Sequence, residues 1–261
     1  MRRTPKEPFG VRVAFAVTGG IVRPIMNALI SHRWVGFEKL QPGSIVVSNH
    51  MTEIDPFVVA HSLYSNGTYP RFLAKESLFK IPVGGKALSG TGQIPVDRGG
   101  AGAGASLDAG RKLLECGGLI AIYPEGTLTR DPELWPMRGH TGAARLALKT
   151  NAPVIPVVHW GDQELLPRYS KMIKPFPRKH VTVAVGDPVD LDDLRGRPLT
   201  RALLNEATDR IMVAITTELQ KLRGGTPPAE RWDPAAHGQS ATGRIQPTGQ
   251  EPSSSTESEA E

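Results

Sequence analysis

The feature that most constrains this chain is an alternation. From about residue 34 to 222, short β-rich runs take turns with stretches of helical pattern. Ser44–Ser48, Arg71–Ala74, Gln93–Val96, Leu119–Tyr123, Val154–His159 and Val181–Val185 read as strands. Helices are expected from Pro56, over 76–89, over Leu107–Cys116 and over Thr141–Thr150, with Thr200–Leu222 as a long closing helix. Such a series predicts one α/β domain over 34–222, its sheet mostly parallel or mixed and flanked by helices. No internal repeat interrupts it.

The two ends differ from this body. After Leu222 the chain is rich in Pro, Ser and Gly, and it finishes in an acidic Ser/Glu run with almost nothing apolar to bury. Residues 223–261 are therefore expected to be disordered. Residues 1–33 carry an apolar segment interrupted by Arg12, Arg23 and Pro24. On a helical projection Arg12, Gly19, Arg23 and Asn27 share one arc, with Phe15, Ile21, Val22, Ile25 and Met26 on the other side. That suits an amphipathic helix lying in a membrane interface, bent or split at Pro24. Periodicity alone equally allows a helix packed on its own domain. Gly19-Gly20 and the nearby Arg23 argue against a cleaved signal peptide.

Composition narrows the partners. The net charge is +5, but the segment from Arg223 holds three basic against six acidic residues, leaving residues 1–222 at about +8. A basic body seeks an anionic partner. No basic stripe carries interleaved aromatics, so nucleic acid is not expected. One cysteine, Cys116, excludes an internal disulfide and a Cys-rich zinc framework, and it reads as a core residue. No uninterrupted run approaches the roughly 18 apolar residues of a spanning helix. A disulfide scaffold, an integral channel and a collagen-like fibre are set aside.

Four stretches carry chemistry. In Asn49-His50-Met51-Thr52-Glu53-Ile54-Asp55-Pro56 a strand ends and a helix begins, the usual position of ligand sites in open α/β sheets. Asp55 before Pro56 has the signature of a helix N-cap. A carboxylate that fixes one nitrogen of His50 would free the other to act as a base; a capping Asp beside an incidental loop His remains the alternative. A metal held by His50, Glu53 and Asp55 lacks a second His at ligand spacing, so none is expected. The run Gly92–Gly99 presents Arg98 at a strand end. Tyr123-Pro124-Glu125-Gly126-Thr127-Leu128-Thr129-Arg130 offers a tight turn with backbone N–H groups, a hydroxyl and a guanidinium suited to phosphate. Val154–Val158 reads as a core strand. Lys171, Lys174, Arg178 and Lys179, interleaved with Met172, Ile173 and Phe176, form either a lipid-contacting or a solvated loop. Neither a Gly-x-Ser-x-Gly elbow nor a P-loop is present.

Taken in order, residues 49–55, 93–98, 123–127 and 154–158 resemble the four motif blocks of the glycerolipid acyltransferases, the lysophosphatidic acid acyltransferase family. The resemblance implies transfer of a fatty acyl group from a coenzyme A or carrier-protein thioester to a hydroxyl of lysophosphatidic acid, without a cofactor. His50 would be the general base and Asp55 its orienting carboxylate, while Arg98, Glu125, Gly126, Thr127 and Arg130 would surround the acceptor phosphate. It also implies a peripheral position on the cytoplasmic face of the membrane, with anionic lipid as a partner. The chain departs from the family pattern at Leu128, where the family usually carries Arg. Another lysophospholipid or a lipid-linked glycoside is therefore an alternative acceptor. A lipid-binding protein of the same fold without catalysis is the alternative from another class.

Overall fold

A computed structural model describes residues 7–96 and 103–240. Seven strands form one sheet in the order β1-β7-β6-β2-β5-β3-β4. They are β1 (Ile30–Val35), β2 (Ile45–Val47), β3 (Pro70–Lys75), β4 (Ile94–Val96), β5 (Leu119–Ile122), β6 (Val154–Trp160) and β7 (Lys179–Val185). All neighbours run parallel except β6 and β7. The central strand β2 sits in register between β5 and β6, Val46 lying level with Ala121 and Ile155.

The period of two along β2 divides the core. Ile45 and Val47 point into a cluster built with α4 (Ala103–Glu115), α5 (Gly142–Thr150) and α6 (Arg201–Arg223). Val46 points to the other face, against α1 (Phe9–Leu29) and α2 (Asp55–Ser65). The short α3 (Gly84–Gly90) lies beside α1. In α6 the buried Leu204, Ala207, Ile211, Ile215 and Leu219 make one stripe, and each large apolar member contributes roughly 1.5–3 kcal/mol by leaving water. Its start is capped by the Thr200 hydroxyl, which accepts from the Leu203 N–H, and Gly224 ends it at positive φ. The expected strands and helices are all found, but 76–89 divides into a 3-10 turn (Glu76–Lys80) and α3.

Three expectations change. The domain begins earlier than residue 34: Ile30–Val35 is an edge strand beside β7, hidden in the sequence because its polar residues Ser31, His32 and Arg33 need only one covered face. The segment after Arg223 is ordered as far as it is described. The Trp232 carbonyl accepts from the Arg138 N–H, and Arg138 pairs with Asp233 at 2.7 Å. The Arg223 guanidinium lies 4.2 Å from the ring centroids of both Trp135 and Trp160. Within the segment itself Trp232 stacks on His237 at 3.6 Å and Arg231 pairs with Asp209 at 2.7 Å, contacts that the sparse apolar count concealed; residues 241–261 fall outside the described part. Cys116, read as a core residue, is exposed.

The N-terminal helix combines both sequence readings. It runs as one 21-residue span through Pro24 and is not split. Phe15 and Met26 are buried: Phe15 stacks on Tyr64 at 5.7 Å, and Glu7 pairs with the buried Arg71 at 2.6 Å. The ladder Phe9, Val13, Val17, Ile21 and Ile25, spaced by four, faces outward. The apolar surface is thus shared between the domain and the exterior. By length and composition the helix is also long enough to cross a membrane, which a count of uninterrupted apolar residues misses.

Candidate active site

Three parallel strands, β5, β2 and β6, end side by side, and the loops leaving them carry the polar residues that the core excludes. Asn49 follows β2 and splices it to β6: its amide donates to the His159 carbonyl and accepts from the His159 N–H, both at 3.1 Å. This pairing fixes where His50 leaves the sheet.

The His50 Nδ1 lies 3.0 Å from Asp55 Oδ2. Asp55 is the first residue of α2, one position inside the helix rather than its cap, and its carboxylate turns back over the loop. It accepts from the Met51 N–H at 2.5 Å, the Thr52 N–H at 2.9 Å and the Thr52 hydroxyl at 2.5 Å. The capping signature in the sequence thus marks a carboxylate that shapes the His50 loop. Burial pushes the Asp55 pKa up, but His159 and His50 outweigh it and hold the group well below the ordinary carboxylate range.

His50 itself is only partly covered, with 16 % of its side chain accessible. Its ring stacks on Tyr123 at 4.1 Å and 22°. The second ring nitrogen, Nε2, makes no hydrogen bond among the described residues. The imidazole stands at the wall of an apolar cavity of about 700 Å³ that runs between α1, α2, α3 and β3, lined by Phe15, Val22, Tyr64, Phe72, Leu78 and Ile81 among others. Gly126 lines it too; its φ of +69° makes the turn after β5, and a Cβ there would fall 2.9 Å from the His140 ring. Arg23, placed by the helical projection on the arc opposite the apolar side, lines this cavity as well.

Glu125 is fully buried and joins two loops: Oε1 accepts from the His50 N–H at 3.1 Å and Oε2 from the Met137 N–H at 3.0 Å. Burial raises its pKa to about 8 against the opposing pull of those N–H groups. Its contacts are those of a positioning residue. Arg130 is buried at 2 % exposure and lines neither of the two cavities at this edge. Leu128, in the place of the family's arginine, is buried too, and Thr127 is half-buried at the turn. Arg98 lies outside the described residues.

Sequence reasoning missed a second pair behind the first. His159, next to last in β6, has Nδ1 3.0 Å from Asp162 Oδ1 and Nε2 2.9 Å from the Asn49 carbonyl. Its Nε2 is also 3.8 Å from Asp55 Oδ2. The carbonyl can only accept, so Nε2 carries a proton, and the carboxylate favours one on Nδ1. Burial lowers the His159 pKa, yet Asp162 and Asp55 overcome it and raise it to about 9. The signal available was a His near the end of a strand, three residues before an Asp. Donor atoms of Asp55, His159 and Asp162 lie within 4.8 Å of one another, a spacing that could hold a metal ion. However, both nitrogens of His159 are taken up by hydrogen bonds, which makes this cluster a buried charge network.

With this geometry established, residues 32–160 match the family model named Acyltransferase. Residues 32–160 thus form an acyltransferase-family domain. It shares 32% identity over 132 residues with a chloroplastic 1-acyl-sn-glycerol-3-phosphate acyltransferase of Brassica napus, covering 49% of this chain and 36% of that one. Identity is 30% over 147 residues with the chloroplastic enzyme LPAT1 of Arabidopsis thaliana, covering 56% and 39%. The chain thus spans well under half the length of these two relatives. The fold is that of the 1-acyl-sn-glycerophosphate acyltransferase PlsC of Thermotoga maritima, with a TM-score of 0.64 at 20% identity over 84% of this chain and 83% of that one.

Proposed function

We propose that this protein moves a fatty acyl group from a coenzyme A or carrier-protein thioester to a free hydroxyl of lysophosphatidic acid, giving phosphatidic acid. The observation that carries the reading is the His50–Asp55 pair at 3.0 Å, its carboxylate buried and its imidazole partly open beside an apolar cavity. His50 Nε2 takes the hydroxyl proton as the oxygen attacks the thioester carbonyl. The tetrahedral intermediate expels the thiolate, which receives that proton from the imidazolium. Asp55 holds the ring in the tautomer that leaves Nε2 unprotonated at the start. The cavity receives an acyl chain. No cofactor takes part.

The same reading includes a membrane surface. Exposed Phe57, Leu78 and Ile81 line the cavity, and the α1 ladder and Val83 add exposed apolar surface on the neighbouring elements. Beyond the C-terminal end of α1, where Arg178 donates to the Asn27 and Ile30 carbonyls, Met172 and Phe176 protrude beside Lys171 and Lys174. Apolar side chains ringed by cations fit an anionic leaflet on the cytoplasmic side, from which a lipid acceptor can enter.

The test is thiol release from acyl-coenzyme A and from acyl carrier protein in the presence of a panel of lysolipids. Release that depends on lysophosphatidic acid supports the reading. Release dependent only on another lysolipid would move the acceptor, as buried Leu128 in place of Arg makes worth testing. Without release for any pair, the transfer reading fails.

A further inference from the structure

The Glu125–Gly126 turn is a partition. Gly126 lines the apolar cavity beside His50, whereas its neighbour Glu125 lines a second cavity of about 730 Å³ on the α5–α6 side. The linings contrast. The second is half polar, and Arg138, His140, Arg145 and Arg201 converge on it. Its two exposed acids are already matched, Asp233 to Arg138 at 2.7 Å and Asp209 to Arg231 at 2.7 Å. Arg145 and Arg201 have no ion-pair partner among the described residues. The α5 helix starts at this wall, and no side chain caps it, so the N–H groups of its first turn add partial positive charge. Two unpaired guanidiniums beside an open helix start form an anion site, and guanidinium suits phosphate oxygens through paired hydrogen bonds.

We infer that this cleft holds the polyphosphorylated group of the acyl donor, a group the size of a nucleotide bisphosphate, while the acyl chain lies across the turn in the apolar cavity. The inference rests on the acyl-transfer reading. Volume favours the donor: the cleft is of the size that encloses a drug-sized ligand, far larger than a glycerol phosphate headgroup needs. Position agrees. Most of the exposed large apolar residues lie on α1, α2 and the segment around α3, with Val213 alone on α6, so a bilayer lipid enters there, and the cleft on the opposite face of the sheet is left to a water-soluble group.

The experiment measures adenosine 3′,5′-bisphosphate and glycerol 3-phosphate binding by calorimetry to the full chain and to the double variant Arg145→Gln/Arg201→Gln. The parent should bind the bisphosphate more tightly than glycerol 3-phosphate. The double variant should lose at least about tenfold, since each lost charge-assisted pair is worth roughly that much. Arg145→Lys/Arg201→Lys, which keeps the charge but not the paired donors, should bind more weakly than the parent and more tightly than the Gln variant, and shows whether the loss follows charge rather than misfolding. In turnover, the KM for acyl-coenzyme A should rise about tenfold in the double variant with the lysolipid KM within about twofold. A rise confined to the lysolipid KM would make the cleft the acceptor's phosphate site and overturn the assignment. Unchanged bisphosphate binding would overturn it as well. Because binding is measured without turnover, the cleft is tested even in a chain that fails to transfer acyl groups.

Discussion

Two His–Asp pairs stand at the same edge of this sheet with the same 3.0 Å contact, His50 to Asp55 and His159 to Asp162. What separates them is the second nitrogen. In His159 it donates to the Asn49 carbonyl in a site with no exposure, and the carboxylates of Asp162 and Asp55 favour the charged ring, raising its pKa to about 9. In His50 it is left to the cavity. The same two side chains therefore serve opposite ends: one pair holds β2, β6 and the Asp55 carboxylate in place, and the other has a nitrogen free for chemistry. Pairing alone does not separate a histidine able to exchange a proton with a ligand from one that cannot; the environment of its other nitrogen does.

The largest effect should come from removing that nitrogen. His50→Ala is expected to lower kcat by at least about a thousandfold, within the range of a lost general base, while thermal unfolding stays close to the parent because the ring is partly exposed and its loop is held by Asp55 and Glu125. Turnover near the parent's would break the contrast at its root. Asp55→Asn should follow, lowering kcat about a hundredfold or more, because an amide does not stabilise the imidazolium. Unlike His50→Ala it should also lower the melting temperature, since Asp55 accepts from Met51, Thr52 and His50 and carries the countercharge for His159. Equal melting temperatures for the two variants would show that Asp55 belongs to the first pair only.

The His159 pair should show the reverse profile. His159→Gln leaves Asp162 buried without its cation and is expected to cost about 3–5 kcal/mol of stability, with a loss of kcat nearer tenfold. The pH dependence has a definite sign. The folded pKa of about 9 lies above the ordinary 6.5, so the stabilisation is complete below pH 6.5 and is lost as pH rises through about 9. Burial of Glu125 at a pKa of about 8 weakens the fold in the same direction, hence the comparison with the variant. Melting temperature should fall more steeply between pH 6.5 and 9.5 in the parent than in His159→Gln. Parallel curves would mean that His159 is neutral.

The sequence made one of these pairs legible and hid the other for a physical reason. His50 and Asp55 are five residues apart in one loop, so local spacing brings them together. Asp55, however, is joined to His159 across more than a hundred residues, through strands that become neighbours only in the sheet order. The strands themselves were readable because β2, β5 and β6 are apolar on both faces. The edge strand β1 was not, since an edge needs no such run. Likewise Phe15 and Ile21 look alike in a helical projection, and only the positions of Tyr64 and Tyr69 decide that the first is core and the second exposed.

The smallest effect expected is also the most discriminating about how His50 is held. Tyr123 offers its ring to the imidazole and its hydroxyl to nothing: the oxygen is buried without a hydrogen-bond partner among the described residues. An unsatisfied buried hydroxyl is a cost that Phe does not carry, so Tyr123→Phe should be neutral or raise stability by roughly 1 kcal/mol. Because the stacked ring remains, kcat should change by less than about twofold, whereas Tyr123→Ala, which frees the imidazole to rotate, should lose about tenfold or more. If Tyr123→Phe lost activity as Tyr123→Ala does, the hydroxyl would have a partner in the working enzyme. His50 would then depend, like His159, on a polar network, and the distinction between an open and a closed pair would narrow to exposure alone.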